Sequence, residues 1–231
     1  MLEILYQDEY LVAINKPHGL LVHPSPIARD AEEFALQLLR DQLGQLVYPA
    51  HRLDRKTAGV LLFSLTKEVD RLMQHQFQNQ HVTKIYIALL RGFAPLEMTI
   101  DYPLRREDGV EQQAVTHFKV LKQYELAVPF GKHATSRYSL VEAQPETGRM
   151  HQLRKHFAHI FHPIIGDRPH GCNKQNKFWL EHFQMNTMLL HASELSFQHP
   201  ITNEQIHIVA NSSAEFQRVL SILEETISKK V

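Results

Sequence analysis

His51-Arg52-Leu53-Asp54-Arg55-Lys56-Thr57-Ala58-Gly59 sets one carboxylate among three cations. A loop built only to grip phosphate gains nothing from Asp54, since an acid repels nucleic acid and cancels a contact. Arg52, Arg55 and Lys56 favour the ionised form of that acid, because nearby positive charge stabilises a carboxylate. An ionised aspartate beside phosphate-gripping groups suits nucleophilic or base chemistry on the sugar of a nucleotide. A solvated surface loop with incidental ion pairs fits the same stretch, so the loop alone leaves both readings open.

Working outward, Val60 to Leu65 is a continuous apolar run of the kind a buried strand carries. Lys67 to Gln80 places Val69, Leu72, Met73 and Phe77 at helical spacing. Lys84 to Leu90 reads as a second buried strand. Upstream, Leu2 to Gln7 and Tyr10 to Asn15 are short apolar runs split by Asp8-Glu9, the pattern of two strands and a turn. Asp30 with Glu33 has capping-box character and predicts a helix from Ala31 to about Leu43. Downstream, residues 94 to 113 read as irregular, with Pro95, Pro103 and Asp108-Gly109 as turn markers. Val115 to Tyr124 and Ser136 to Ala143 predict strands. Met150, Leu153, Phe157, Ile160 and Phe161 predict one face of a helix that starts near Thr147 and ends at Pro163. Residues 166 to 187 read as a polar, irregular excursion. Leu189 to Phe197 and Gln205 to Val209 predict a hairpin, and Ser212 with Glu215 a capped final helix through Ile227. Strands in mixed order with few helices argue α+β, with a mixed, mostly antiparallel sheet flanked by helices, rather than a regular βαβ winding.

The chain has 231 residues, with 43% hydrophobic and 22% charged content and a formal net charge of zero. That is an ordinary globular balance, and any grip on nucleic acid has to come from local basic patches. A single cysteine, Cys172, excludes an intrachain disulfide framework and a cysteine-only metal site. No apolar run approaches the roughly 20 residues that span a bilayer. Glu3 and Asp8 at the N-terminus do not fit a secretory signal. The expectation is a cytoplasmic protein without membrane association, and a monomer.

Two further constellations carry chemistry. Gly148-Arg149-Met150-His151-Gln152-Leu153-Arg154 opens a helix whose first amides favour anions, and Arg154 could reach a carboxylate bidentately; solvated helix-face cations are the other reading. Tyr86 in Lys84-Ile85-Tyr86-Ile87-Ala88 interrupts an apolar strand and offers a ring on which a base can stack, or is a core tyrosine with a satisfied hydroxyl. His151, His156, His159 and His162 invite a metal reading, but no acid or cysteine lies within the helix to complete a site. His23, His191 and His199 read as turn or core residues, and Cys172 has no base nearby. No cofactor is expected.

Taken together and in this order, the motifs are similar to those of the RluA-type pseudouridine synthases. His51-Arg52-Leu53-Asp54 with Thr57 and Gly59 resembles their catalytic motif, Lys84-x-Tyr86-x-Ala88 their tyrosine strand, and Gly148-Arg149-x-His151-Gln152-Leu153-Arg154 their arginine helix. Asn15-Lys16-Pro17-x-Gly19, Val22-His23-Pro24, Pro163-Ile164-Ile165-Gly166-Asp167 and Leu190-His191-Ala192 resemble further landmarks, so the likeness runs from Leu2 to about Val209. Ala58 stands where the family usually has serine, and Lys56 where near relatives often have proline. The resemblance implies the pseudouridine synthase fold with a central active-site cleft, and a single catalytic domain over residues 1–231 without an N-terminal S4-like domain. It implies an isomerase that turns a uridine of RNA into pseudouridine, with tRNA, in the T-stem region, as the expected partner and ribosomal RNA as the alternative. A non-catalytic RNA-binding module on the same fold is the third possibility. By resemblance Asp54 is the essential group, Tyr86 and Arg154 support it, and Arg52, Leu153, Thr57, Arg149 and Gln152 bind substrate. Arg154 is expected to pair with Asp54, and Arg55, Lys56, Arg105, Arg106, Lys119 and Arg149 to meet phosphates.

Overall fold

The computed structural model describes residues 1–24 and 32–228. In chain order its elements are β1 (Ile4–Gln7), β2 (Leu11–Lys16), α1 (Ala35–Leu43), β3 (Tyr48–Pro49), β4 (Ala58–Ser64), α2 (Lys67–Gln78) and β5 (Thr83–Arg91). Then follow β6 (Glu97–Asp101), β7 (Leu104–Arg105), β8 (Glu111–Gln112), β9 (Val115–Leu126) and β10 (Ser136–Pro145). The chain closes with α3 (Gln152–His159), α4 (Asn173–Phe183), β11 (Leu190–Gln198), β12 (Gln205–Val209) and α5 (Ala214–Ser228). It divides into two compact units, Met1–Lys84 with His191–Ser212, and Ile85–Leu190 with Ser213–Val231.

In the first unit β4 is the central strand. It pairs antiparallel with β2, from Leu11 opposite Ser64 to Lys16 opposite Gly59, and parallel with β11 at His191 and Ala192. β1 extends the sheet beyond β2, and β12 beyond β11. Every residue of β4 is buried. That is why its sequence is continuously apolar instead of alternating. Leu11, Ala13, Val60, Leu62, Leu195, Phe197 and Ile208 form the core on which α2 lays Val69 and Met73. Thr66 caps α2, its side chain accepting the Val69 N–H at 3.2 Å. The predicted start of α1 is corrected. Asp30 and Ala31 lie outside the described residues, and the helix begins at Ala35 after Phe34, which makes no side-chain cap bond. Its first amides are satisfied by backbone instead, Ala35 N–H donating to Leu21 O and Leu36 N–H to Val22 O.

In the second unit β5, β10, β9 and β6 form an antiparallel run. Strand alternation sorts the residues to two faces. Ala88, Leu90, Phe118, Val141 and Ala143 meet Leu153 and Phe157 of α3. Leu89, Tyr124, Leu126 and Tyr138 meet Phe178 and Trp179 of α4 and Phe216, Val219 and Leu223 of α5. Four expectations are corrected here. Residues 94 to 113 hold β6 and the β7–β8 pair, and residues 166 to 187 hold α4. The face assigned to α3 is shorter than expected, because Met150 and Phe161 lie outside the helix and are exposed. At α5 the cap is Ser213, whose Oγ accepts the Phe216 N–H at 3.2 Å.

Candidate active site

In the first unit the site is built on the residues between Leu53, buried in the protein, and β4. Asp54 heads a turn in which its carbonyl accepts the Thr57 N–H at 3.0 Å, and Thr57 itself is buried. That turn is tied to the Pro17–Leu20 loop by a reciprocal pair of bonds. Gly19 N–H donates to Arg55 O at 2.8 Å, and Arg55 Nε donates to Gly19 O at 3.1 Å. Gly19 has φ +90°, a conformation that favours glycine, and so its amide can face the turn. Arg52 and the Arg55 side chain remain exposed.

Beneath this turn lies a residue that sequence reasoning passed over as a site residue. Lys16, the last residue of β2, is fully buried, and its Nζ donates to Pro17 O at 3.0 Å, Leu20 O at 2.8 Å and Arg55 O at 3.2 Å. Three carbonyls match the three N–H donors of an ammonium. Burial pushes Lys16 down from 10.5 to about 7, and the Asp54 charge pulls the other way. A fourth cation therefore joins the three that the sequence places around Asp54. Its signal was a lysine closing a buried apolar strand, Leu11-Val12-Ala13-Ile14-Asn15-Lys16. His18 is pushed down to about 4, first by burial and then by the charges of Lys16 and Lys56. His51 is pushed down to about 3, again first by burial and then by Lys84. Geometry agrees, because His51 Nε2 already accepts the Leu62 N–H at 3.1 Å and the ring stacks on Phe77 at 4.9 Å. His51 is a neutral acceptor that pins the start of the loop to β4.

In the second unit Tyr86 is half-buried on β5 and packs against the cluster that contains Leu153. Leu153, which the resemblance places beneath a base, is 6% exposed there. Arg154 is buried on α3 and makes a bidentate pair, Nε to Asp167 Oδ2 and Nη2 to Asp167 Oδ1, both at 2.8 Å. The anion within its own unit is therefore Asp167, a partner that the motif reading did not assign. Gln152 is held within the unit. Its Oε1 accepts from Thr147 Oγ1 at 2.7 Å and Arg149 N–H at 3.0 Å, and its Nε2 donates to Val115 O at 2.9 Å and Thr116 Oγ1 at 3.0 Å. Those four bonds use the whole glutamine amide, and Gln152 braces the start of α3.

Arg149 donates from Nε to Gln113 O at 3.0 Å and lines a recess of about 490 Å³ with Arg105, Arg106 and Lys155. Lys155 Nζ donates to Arg105 O. Arg105 pairs with Glu111 at 3.0 Å and Arg106 with Asp108 at 2.8 Å. Lys119 pairs with Glu142 at 2.8 Å. Such exposed pairs are weak, and a phosphate can compete for their cations.

The histidines of the metal reading have other partners. His156 is buried between Thr116 Oγ1 at 2.9 Å and Tyr102 O at 3.0 Å, and burial lowers its pKa. His159 stacks on Tyr102, and His162 Nδ1 meets Arg91 O at 2.8 Å. His151, at φ +58°, holds Nδ1 3.0 Å from His170 Nε2. Among the described residues no three histidines, cysteines or acids are grouped to hold a metal, and no helix is long and apolar enough to cross a membrane.

Residues 10–159 match the family described as RNA pseudouridylate synthase. The chain is 47% identical over 232 aligned residues to tRNA pseudouridine synthase C of Vibrio cholerae, covering 96% of this chain and 95% of that protein. It is 46% identical to the protein of the same name from Haemophilus influenzae, covering 96% and 97%. Among solved structures it is similar to human RNA Pseudouridylate Synthase Domain Containing 4, with a TM-score of 0.73, 26% identity and coverage of 96% and 93%. Human RNA Pseudouridylate Synthase Domain Containing 1 shares the fold at a TM-score of 0.73 and 23% identity, with coverage of 98% and 96%.

Proposed function

The chain belongs to the RNA pseudouridylate synthase family, and we propose that it converts a uridine of tRNA, in the T-stem region, to pseudouridine in the cytoplasm. It is an enzyme of the isomerase class, in which the N1–C1′ bond of a uridine breaks and the uracil is rejoined through C5. No atoms enter or leave, so the reaction itself calls for no cofactor. Similarity along 96% of the chain to proteins named tRNA pseudouridine synthase C supports tRNA as the substrate.

Asp54 is the essential group. Attack on C1′ and removal of a sugar proton both need a carboxylate held still beside the sugar. The observation that carries this reading is the way the Asp54–Thr57 turn is held, by Gly19, the Arg55 side chain and the buried Lys16 ammonium. A base within a stem is out of reach, so the nucleotide is flipped out, at a cost of a few kcal/mol. Arg52, exposed two residues before Asp54, fills the vacated space, and Tyr86 stacks on the uracil and helps to remove the C5 proton, which passes to solvent while N1 takes one up. Leu153 packs beneath the base, and Arg154 supports the reaction from α3. Thr57 acts from within the turn. The Arg105, Arg106, Arg149 and Lys155 recess takes phosphates of the RNA backbone, where shape more than sequence governs recognition.

Pseudouridine mapping on unmodified tRNA and ribosomal RNA transcripts tests the reading, with Asp54→Asn as control. The expected result is new pseudouridine in a tRNA stem that disappears in Asp54→Asn. Product only in ribosomal RNA would reject tRNA as the substrate. Product from Asp54→Asn at the wild-type rate would reject the role of Asp54.

A further inference from the structure

Asp167 is a buried acid whose backbone is fixed from several sides. It follows Gly166, at φ +83°, where a Cβ would lie 1.8 Å from Thr187 O. Gly166 N–H donates to Asn176 Oδ1 at 2.9 Å, and Asn176 Nδ2 donates to Asp167 O at 2.6 Å. On the other side Gly171 leaves room for the Asp167 carbonyl, which a Cβ there would meet at 1.9 Å. Just before it, Ile165 N–H donates to Leu89 O at 2.9 Å, which attaches the segment to β5, the strand that carries Tyr86. The carboxylate is 1% exposed, and both oxygens accept from Arg154, with Oδ1 also accepting the His170 N–H at 3.4 Å.

The edge of the guanidinium that Asp167 grips is informative. Nε and Nη2 form one side of the fork, and a guanidinium has five N–H donors in all. A side-on grip fixes the plane and the direction of the group. It leaves the end-on Nη1/Nη2 edge as the one able to meet a second anion bidentately. Stability alone is a weak reason for such a pair, since matched apolar side chains in its place serve as well or better.

Resting on the reading that Arg154 serves the isomerisation, we infer that Asp167 is its positioning residue. It holds the end-on edge of Arg154 in the one direction in which the reaction uses it, and touches no reacting group itself. Asn176, through its two bonds, holds Asp167 in turn.

The test is Asp167→Asn, which keeps the shape and removes the charge. The readouts are single-turnover pseudouridine formation on an unmodified tRNA transcript, the Kd for that transcript, and thermal melting. A purely structural role would lower the melting point and leave the rate per folded, RNA-bound molecule unchanged. A positioning role lowers that rate by about 100-fold, the scale of a misplacement near 1 Å, with Kd within about 3-fold of wild type. Asp167→Glu, with its charge one methylene further out, should recover only part of the rate, and it decides the matter if Asp167→Asn does not fold. A rate within about 3-fold of wild type in the folded variant, beside an inactive Arg154→Ala, would overturn the role of Asp167. Wild-type activity in Arg154→Ala would overturn the underlying reading of Arg154 instead.

Discussion

Replacing Lys16 by methionine removes an ammonium from the floor of the Asp54 turn and leaves a side chain of similar length with no N–H. Two large terms oppose each other. The carbonyls of Pro17, Leu20 and Arg55 lose donors at 3.0, 2.8 and 3.2 Å. Bonds to a charged donor contribute about 1.5–3 kcal/mol each, so the loss is on the order of 6 kcal/mol. Against this, holding the charge in a fully buried site depresses its pKa from 10.5 to about 7, which costs about 5 kcal/mol at neutral pH and below. The two nearly cancel, and the net destabilisation is about 1 kcal/mol, a fall in melting temperature of roughly 2–4 °C for a chain of this size.

Changing the pH separates the terms. The folded pKa of Lys16 lies below its unfolded value, so between pH 7 and 10.5 the unfolded chain binds the extra proton. Wild-type stability from this residue therefore rises with pH across that window, whereas Lys16→Met is insensitive to it. Other groups are common to both proteins and cancel. Urea denaturation at pH 7, 8 and 9 should show the gap between wild type and variant widening by about 2 kcal/mol. A gap that stays constant or narrows would refute the burial argument. The same variant frees Arg55 O from its Nζ contact beside Asp54, and single-turnover pseudouridine formation should fall by about 10-fold or more.

Gly59→Ala should destabilise the protein by about 3 kcal/mol or more, since Gly59 has φ +111° and a Cβ would lie 2.1 Å from Ala192 O; a melting temperature near wild type would count against the close approach of β4 and β11. Between pH 6.5 and 4.5 the unfolded chain takes up protons that folded His51, at about 3, refuses. Stability should therefore fall as pH is lowered, with about 2–3 kcal/mol from His51 by pH 4.5. In His51→Gln, whose amide oxygen can still accept from Leu62, the fall should be correspondingly shallower, and an equally steep fall would exclude His51 as its source. Arg149→Gln should weaken tRNA binding and reduce the salt slope of log Kd by about 1, as one lost phosphate contact requires; an unchanged slope would remove Arg149 from the RNA surface.

Elements buried on both faces were legible because their sequence is apolar throughout, as in β4, and α2 because Val69, Met73 and Phe77 recur at helical spacing. The missed elements fail both tests. In β6 only Ile100 is buried, so there is no alternation to read. In α4 the inward stripe is Gln175, Phe178 and Trp179, and the glutamine hides the period. Gln175 is tolerated inside because its Nε2 donates to the buried Tyr138 hydroxyl at 2.5 Å, a partner 37 residues away that no local pattern reveals.

The same physics explains which site residues were legible. Asp54, Tyr86 and Arg154 stand out as polar residues at motif spacing, whereas Lys16 and Asp167 matter through what they hold. A buried charge has to find its donors or acceptors wherever the chain brings them. Lys16 found carbonyls at positions 17, 20 and 55, and Asp167 found a guanidinium 13 residues back. Each charged group fixes backbone or side chain next to a residue of the proposed chemistry, Arg55 beside Asp54 in one unit and Arg154 in the other. A lysine at the end of an apolar strand and an aspartate after a glycine are therefore better read as halves of a contact than as breaks in a pattern. Their partners lie elsewhere in the same unit, on loops for Lys16 and on α3 for Asp167.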